Sequence, residues 1–366
     1  MSGIHHFVPV LHGGDAVGRH TLRLREATRA RGFRSEIFVD TVDDDTVAET
    51  VPVLAYPGLA EPGDVVVYQF ATASAMAPWL AGRPETLVVN YHNVTPPELM
   101  APWDNHLALG QLRAQGDLRL LAPRTALAVA DSAYNEAHLA SSGFVATAVI
   151  APSAALDVDL TTGAGPVPPA PAEAGAAGGP ARWLAVGRVS PNKGLESTIA
   201  ALAVARAHAG PGATLQIIGK PATDSYVGAL HRYVAELGLT TAVRFAGHAG
   251  DATVASAYAA ADVLVVTSEH EGFCVPVVEA MASGVPVVAF DQGAVPEVLG
   301  GAGVLVVDKD PYALAASISA LVADAPRRDA TVAAGRRRLA EHDLSAAADR
   351  FVSLLVPLAE PGARPS

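Results

Sequence analysis

The 366-residue chain has little cysteine and few aromatic residues, with one cysteine and 5% aromatics. A single cysteine excludes a disulfide framework, so the cytoplasm is the expected compartment. No apolar run reaches about 18 residues, so no transmembrane helix is predicted. The segment Met1–His6 lacks a basic region followed by an apolar core, so no signal peptide is predicted.

Positive charge is also scarce, and the formal net charge of −12 argues against nucleic acid as a partner. One region departs from this trend. Six arginines gather on the first predicted helix and its exit: Arg19, Arg23, Arg25, Arg29, Arg31 and Arg34. A solvated helix face is the favoured interpretation. The alternative is a contact with an anionic acceptor or, peripherally, with the cytoplasmic face of a membrane.

Half of the residues are hydrophobic, and the length suits two domains of ordinary size. Apolar runs predict strands in both halves: 5–10, 34–39, 64–70, 86–91, 126–130 and 147–151, then 183–186, 215–218, 243–246, 263–266, 285–290 and 304–307. Helical patterns fit between most of them. This alternation predicts an α/β fold with parallel sheets covered on both faces.

Residues 163–180 are almost entirely Gly, Ala and Pro, a composition that cannot bury a core. We therefore predict domains at 1–160 and 182–343, joined by a flexible linker at 161–181. Within the first domain, Ser132 is predicted to cap a helix that begins at Ala133. Glu136 would complete an approximate capping box.

Two carboxylates flank a turn near residue 270. Glu271 and Glu279 lie on either side of the sequence Gly-Phe-Cys-Val-Pro. This sequence joins the predicted strand 263–266 to a helix predicted at 277–283. Such a junction lies outside the carboxyl ends of parallel strands, where ligands bind. The free N–H groups of a helix N-terminus suit an anion or sugar hydroxyls.

A second strand-to-helix loop lies upstream, between the strand 183–186 and a helix predicted at 195–207. Gly187 and Gly194 allow tight turns there, and Arg188 and Lys193 supply two cations. Arginine offers a planar fork for phosphate oxygens and lysine a mobile charge. The pair is suited to a pyrophosphate; a solvated helix start is the alternative.

Together these two motifs resemble the donor site of the retaining glycosyltransferases of family four, also called glycosyl transferases group 1, which have the GT-B fold. The resemblance is strongest from Trp183 to about Asp310 and looser in the N-terminal half. It implies two Rossmann-like domains facing each other across a cleft, with a nucleotide-sugar bound mainly by the C-terminal one. It also implies that the last helix, about 344–360, packs back on the N-terminal domain.

The resemblance assigns roles to individual residues. Arg188 and Lys193 would hold the diphosphate and neutralise the leaving group, and Glu279 would bind the ribose hydroxyls. Glu271 would position the transferred sugar. The backbone of Gly272, Phe273, Cys274 and Val275 would hold the sugar with it, and Gly187 of the other loop would also bind the donor. Cys274 departs from the pattern, because many relatives have glycine there.

Further positions carry weaker signals. The turn at Gly13 and Gly14 permits close approach of a phosphate, and in relatives it faces the diphosphate. His92 follows the fourth predicted strand and matches a histidine that lines the sugar pocket of several members, so it is included among the catalytic candidates. His248 and Ala249 match a loop that contacts the base.

No cofactor is predicted, because the nucleotide-sugar is a co-substrate. No metal is predicted either. Two acidic runs, Asp43-Asp44-Asp45 and Asp157-Val158-Asp159, offer patterns that bind divalent ions in a different transferase fold. Neither is placed beside the donor loops, so both are interpreted as surface acids.

The resemblance implies an enzyme of glycan biosynthesis that moves a hexosyl group, with retention, from UDP- or GDP-hexose to a hydroxyl acceptor. The acceptor would be a sugar, a lipid-linked molecule or a small molecule. The alternatives are a nucleotide-sugar epimerase and an inactive sugar-nucleotide-binding protein. A phosphorylase of the same fold is disfavoured, because that class is much longer and needs pyridoxal phosphate. The sequence does not predict the hexose, the acceptor or the oligomeric state.

Overall fold

The chain folds into two compact units. The first unit comprises Met1–Pro97, His106–Asp157 and Asp343–Ser366, and the second comprises Glu98–Asn105 and Val158–His342. The computed structural model describes residues 2–12, 15–41, 44–153 and 181–360. The predicted linker at 161–181 lies, except for Ala181, outside the described residues, so the predicted domain boundaries stay predictions.

The first unit is built on a parallel sheet of seven strands. They are β1 Ile4–Val10, β2 Ile37–Thr41, β3 Val51–Pro52, β4 Val65–Phe70, β5 Thr86–Tyr91, β6 Thr125–Ala130 and β7 Thr147–Val149. The order is β3-β2-β1-β4-β5-β6-β7, with parallel pairing throughout. Every residue of β4 is buried, as expected for a parallel strand covered on both faces.

Helices connect these strands: α1 Ala16–Ala30, α2 Met76–Ala81, α3 Pro97–Met100, α4 Asn105–Leu121 and α5 Ala133–Ser141. Side chains cap two of them. Asp15 accepts from the N–H of Gly18 at 2.7 Å at the start of α1. Ser132 accepts from the N–H of Asn135 at 3.1 Å, which confirms the predicted cap of α5. Glu136 is the fourth helical residue and accepts from Thr147 Oγ1 at 2.8 Å, and its predicted part in the cap stays a prediction.

The second unit is built on a parallel sheet of six strands. They are β8 Arg182–Val186, β9 Thr214–Ile218, β10 Val243–Gly247, β11 Val263–Val266, β12 Val287–Phe290 and β13 Val304–Val306. Its helices are α6 Leu195–Ala209, α7 Asp224–Glu236, α8 Asp251–Ala260, α9 Val275–Ser283, α10 Val295–Leu299, α11 Pro311–Ala323 and α12 Ala325–His342. The predicted α/β fold with two Rossmann-like parallel sheets is confirmed.

The strand order of the second sheet is β10-β9-β8-β11-β12-β13. The direction of strand progression reverses between β8 and β11, which pair directly with each other. Ligands of open α/β sheets bind at such a reversal, outside the carboxyl ends of the strands. The two loops that leave β8 and β11 are therefore expected to form the site.

The chain returns to the first unit at its end. A 3₁₀ turn at Leu344–Ala346 leads into α13, Ala347–Ala359. This helix packs on α1 and β4, and its Phe351 and Leu355 are fully buried among apolar side chains of the first sheet.

Candidate functional site

Two loops meet at the carboxyl edge of the second sheet: the β8 loop, residues 187–194, and the β11 loop, residues 267–274. The N–H of Glu269 donates to the carbonyl of Asn192 at 2.8 Å. The Asn192 side chain donates in return to the carbonyl of His270 at 3.1 Å. Thr267 Oγ1 donates to the carbonyl of Gly194 at 2.8 Å. These bonds join the two loops into one structure.

The close approach of the loops requires glycine at position 194. Gly194 has φ 57°, in the left-handed region that disfavours residues with a Cβ. A Cβ at this position would lie 2.5 Å from the carbonyl oxygen of Thr267. Any larger residue would therefore force the loops apart.

Lys193 and Glu271 form an ion pair across the joined loops. Lys193 Nζ lies 2.5 Å from Glu271 Oε1, and Ser268 Oγ donates to the same oxygen at 2.6 Å. The two charged side chains are 19% and 9% exposed. Burial alone would lower the pKa of Lys193, but the charge and hydrogen bond of Glu271 outweigh it and raise that pKa. Lys193 is therefore held as a cation.

Arg188 lies beside this pair with its side chain exposed. Within the part of the chain that the structure describes, its guanidinium has no hydrogen-bonding or ion-pair partner. A cleft in the second unit is lined by residues of both loops: Gly187, Arg188, Lys193, Ser268, Glu271 and Cys274. The cleft thus holds an uncompensated arginine next to a paired lysine.

Cys274 ends the β11 loop at the N-terminus of α9. It is buried and has φ 74°, an uncommon conformation for a residue other than glycine. Burial, and then the charge of Glu271, raise the pKa of its thiol well above the ordinary value. Gly272 and Phe273 are buried and Val275 is half-buried beside it. The thiol stays protonated and lines the cleft as a small side chain.

Glu279 lies on α9, where it is buried. Its Oε2 accepts a hydrogen bond from the hydroxyl of Tyr258 on α8 at 2.8 Å. Burial, followed by the charge of Glu279, raises the pKa of Tyr258 well above the ordinary value, so the hydroxyl remains a donor. Glu279 is not among the described residues that line the cleft.

The structure says less about the remaining residues that are predicted to bind the donor. His248 is exposed and Ala249 is half-buried just after β10. Gly13 and Gly14 lie outside the described residues, so the structure says nothing of their predicted role.

His92 follows β5 in the first unit, and its side chain is 4% exposed. Its Nδ1 lies 3.0 Å from Asp131 Oδ2 and its Nε2 lies 2.8 Å from Gln69 Oε1. Gln69 Oε1 also accepts from the amide of Asn90 at 2.8 Å. Both ring nitrogens of His92 are thus engaged inside the first unit, and its predicted contact with a sugar stays a prediction.

The arginines of the first helix are also engaged within the first unit. Arg25 bonds Glu49, Arg29 bonds Glu36, Arg31 contacts Asp349, and Arg34 bonds both Glu61 and Asp64. Arg23 donates to the carbonyl of Ser153 at 2.8 Å. These contacts account for five of the six arginines of the cluster, and the predicted membrane contact stays a prediction.

Several residues around the cleft carry no specific signal in the sequence. Asn192 and Ser268 join the loops and hold Glu271, yet short polar residues in loops are common. Tyr258 reaches Glu279 from another helix, and Lys309 reaches the β11 loop from beyond β13. Only three-dimensional packing brings them together. Gly293 carried a weak signal, as glycine in a turn; a Cβ there would lie 2.8 Å from the carbonyl oxygen of Glu271.

Within residues 2–12, 15–41, 44–153 and 181–360, no group of three or more His, Cys, Asp or Glu side chains forms a metal-binding cluster. Asp43 and the run at 157–159 lie outside these ranges, so the prediction that no metal binds stays a prediction. Among the described helices, none is long and apolar enough to cross a bilayer.

The second unit is similar to known proteins. Residues 168–338 match the family model described as glycosyl transferases group 1. The chain is 38% identical to MMP alpha-(1->4)-mannosyltransferase of Mycolicibacterium hassiacum over 143 residues, which are 38% of this chain and 34% of that protein. It is 45% identical to GDP-mannose-dependent alpha-mannosyltransferase of Mycolicibacterium smegmatis over 105 residues, 28% of this chain and 27% of that protein. The chain thus spans about a third of the length of these curated relatives.

Solved structures resemble nearly the whole chain in fold. Sucrose-phosphate synthase from Thermosynechococcus elongatus superposes with a TM-score of 0.73 at 20% identity, covering 97% of this chain and 99% of the other. Anabaena HepE, crystallised with UDP-glucose, superposes with a TM-score of 0.69 at 22% identity, covering 96% and 99%. The chain therefore has the fold of the GT-B glycosyltransferases, and its residues 168–338 are similar to the glycosyl transferases group 1 family.

Proposed function

We propose that this protein is a retaining glycosyltransferase of family four that takes its hexosyl group from a nucleoside diphosphate sugar. The observation that carries the proposal is the cleft where the β8 and β11 loops meet. It presents Arg188, Lys193 and Glu271 at the strand-order reversal of a parallel sheet. Arg188 and Lys193 would bind the diphosphate, and Glu271 with the backbone of the β11 loop would hold the sugar.

The chemistry that these groups support is electrostatic. As the bond between the anomeric carbon and the diphosphate oxygen breaks, negative charge develops on the leaving group, and two cations stabilise it. The acceptor hydroxyl forms the new bond from the face that the diphosphate leaves, and its proton passes to a departing phosphate oxygen. The configuration is then retained. Because two cations supply the charge that a divalent ion would supply, we propose that the reaction needs no metal and no cofactor.

The donor is proposed to be UDP-hexose or GDP-hexose. A similar mannosyltransferase is named for its dependence on GDP-mannose, and Anabaena HepE was crystallised with UDP-glucose. We propose a hydroxyl acceptor, with its identity left to screening. Tyr258 would orient Glu279 toward the ribose hydroxyls.

The test is a donor screen by thermal shift with UDP-glucose, GDP-mannose and related hexoses. A ligand that binds only the folded state at about 100 times its Kd stabilises it by about 2.7 kcal/mol. We expect one donor to raise the Tm of the wild type and of Arg327→Ala, an exposed arginine on α12. We expect Lys193→Ala and Glu279→Ala to lose the shift.

Turnover distinguishes the classes of protein. Release of nucleoside diphosphate on adding acceptor, unchanged by EDTA, would support the transferase, and proton NMR of the first product would show whether the anomeric configuration is retained. Conversion of the donor into another nucleotide-sugar without acceptor would identify an epimerase. Binding without turnover against any acceptor would identify a sugar-nucleotide-binding protein.

A further inference from the structure

Lys309 follows β13, and its ammonium group points into the base of the β11 loop. Its Nζ donates to the carbonyl of Thr267 and to Glu269 Oε1, each at 2.5 Å. It also lies 4.3 Å from the centroid of the Phe290 ring. The side chain is 14% exposed. Two oxygen acceptors and an aromatic face therefore surround the ammonium, an arrangement that favours a fixed cation.

The two β11-loop residues that Lys309 contacts both take part in joining this loop to the β8 loop. Thr267 Oγ1 donates to Gly194, and the N–H of Glu269 donates to Asn192. Lys309 also approaches the β8 loop, since a Cβ at Gly194 would lie 3.0 Å from its Nζ. The side chain thus supports the joined loops at the point where they touch.

Lys309 is not among the described residues that line the cleft, and its ammonium group is directed to oxygen atoms of the β11 loop. We propose that Lys309 is a positioning residue: it fixes the β11 loop against the β8 loop and thereby sets the spacing of Glu271 from Lys193. This inference rests on the proposed function, because the spacing matters only if Glu271 holds the sugar while Lys193 holds the diphosphate. An error of about 1 Å in such positioning can cost 100-fold in rate.

The experiment compares Lys309→Met, which keeps the apolar stem and removes the ammonium, with Lys309→Arg, which keeps a cation. Two readouts are measured: steady-state kinetics for the donor, and hydrogen–deuterium exchange of the peptide spanning residues 267–274. We expect Lys309→Met to raise donor KM and lower kcat, reducing kcat/KM by about tenfold or more. Exchange in the peptide should become faster, and Lys309→Arg should recover most of both losses.

The matched control is Arg182→Met, which breaks an ion pair of the same unit. Arg182 begins β8 and binds Asp262, which precedes β11, with Nη2 2.9 Å from Oδ1. The pair lies at the amino-terminal ends of the two strands that carry the loops. We expect Arg182→Met to lower Tm while leaving kcat/KM and exchange of residues 267–274 unchanged.

The inference is overturned if Lys309→Met behaves like the control, with a lower Tm but unaltered kcat/KM and exchange. Failure of the proposed function gives a different result, in which wild-type protein binds no nucleotide-sugar. In that case the exchange of residues 267–274 still decides whether Lys309 holds the loop.

Discussion

Lys193 Nζ lies 2.5 Å from Glu271 Oε1, so the lysine proposed to hold the diphosphate already has a carboxylate partner. A diphosphate must therefore compete with Glu271 for this cation. We expect Glu271→Gln to bind nucleoside diphosphate about three- to tenfold more tightly, because one negative charge beside the binding lysine is removed. Glycosyl transfer should fall, since the glutamine no longer holds the sugar as a charged acceptor. Isothermal titration with UDP and GDP, alongside turnover, measures both effects.

The control for this variant is Glu236→Gln, which removes the same charge from an exposed position at the end of α7. Its affinity for nucleoside diphosphate should equal that of the wild type. Weaker binding by Glu271→Gln would show that Glu271 organises Lys193 for the diphosphate instead of competing with it.

Tyr258 is expected to orient Glu279 through its hydroxyl. Tyr258→Phe removes the 2.8 Å bond to Glu279 Oε2 and leaves the ring in place, which should lower stability by about 1–2 kcal/mol. We also expect donor affinity to fall several-fold in titration calorimetry. The matched change is Tyr91→Phe in the first unit, where the hydroxyl lies 2.6 Å from His138 Nδ1. If both variants lose stability but neither loses donor affinity, Glu279 is structural.

The thiol of Cys274 should be unreactive in the folded protein. Burial raises its pKa above the ordinary 9.0, and it is the chain's single cysteine, so any labelling reports on it alone. We expect no reaction with a thiol reagent at about pH 8 until denaturant is added, because the thiolate is the reacting form. Because the pKa of the thiol is higher in the folded state than in the unfolded state, this group stabilises the fold at pH values below its unfolded-state pKa. The stabilisation is lost as the pH rises through its folded-state pKa. Rapid native labelling would show that the β11 loop opens.

The first unit should lose stability in mild acid. His6 is fully buried beside Gln69, and burial, with the charges of His5 and Arg25, lowers its pKa from 6.5 to about 3. Because the pKa of His6 is lower in the folded state, neutral His6 stabilises the fold at pH values above its unfolded-state pKa of 6.5. This stabilisation is lost as the pH falls toward its folded-state pKa. At about pH 5 the loss from His6 alone should be about 2 kcal/mol relative to neutral pH.

Urea unfolding at these two pH values, followed by circular dichroism, measures this loss. His6→Gln keeps a polar partner for Gln69 and should show a smaller pH dependence, whereas exposed His106→Gln should behave like the wild type. An unchanged pH dependence in His6→Gln would assign the acid loss to other groups, such as His20, whose pKa burial also lowers.

Strands β11 and β12 of the second sheet were predictable because they are largely buried and read as unbroken apolar runs. The predicted strand 263–266 has the observed bounds, and the predicted helix at 195–207 extends to Ala209. The short edge strand β3, Val51–Pro52, was missed because two residues carry no periodicity. The candidate site was predictable as a hypothesis because each loop follows a parallel strand and contains glycine together with charged residues, cations in the β8 loop and carboxylates in the β11 loop. The contacts of Tyr258 and Lys309 could not be predicted, since each joins residues that are distant in sequence.

The return of α13 to the first unit limits how this protein can be divided. The chain passes between units after residues 97, 105, 157 and 342, and Phe351 and Leu355 cover apolar side chains of strands from the first half. A gene fragment that stops before residue 343 would therefore leave part of that core open to water. A chimera of two homologous genes that exchanges whole units must take its C-terminal segment from the same parent as its N-terminal half. A single crossover point cannot meet this requirement, so we expect such a chimera to be unstable.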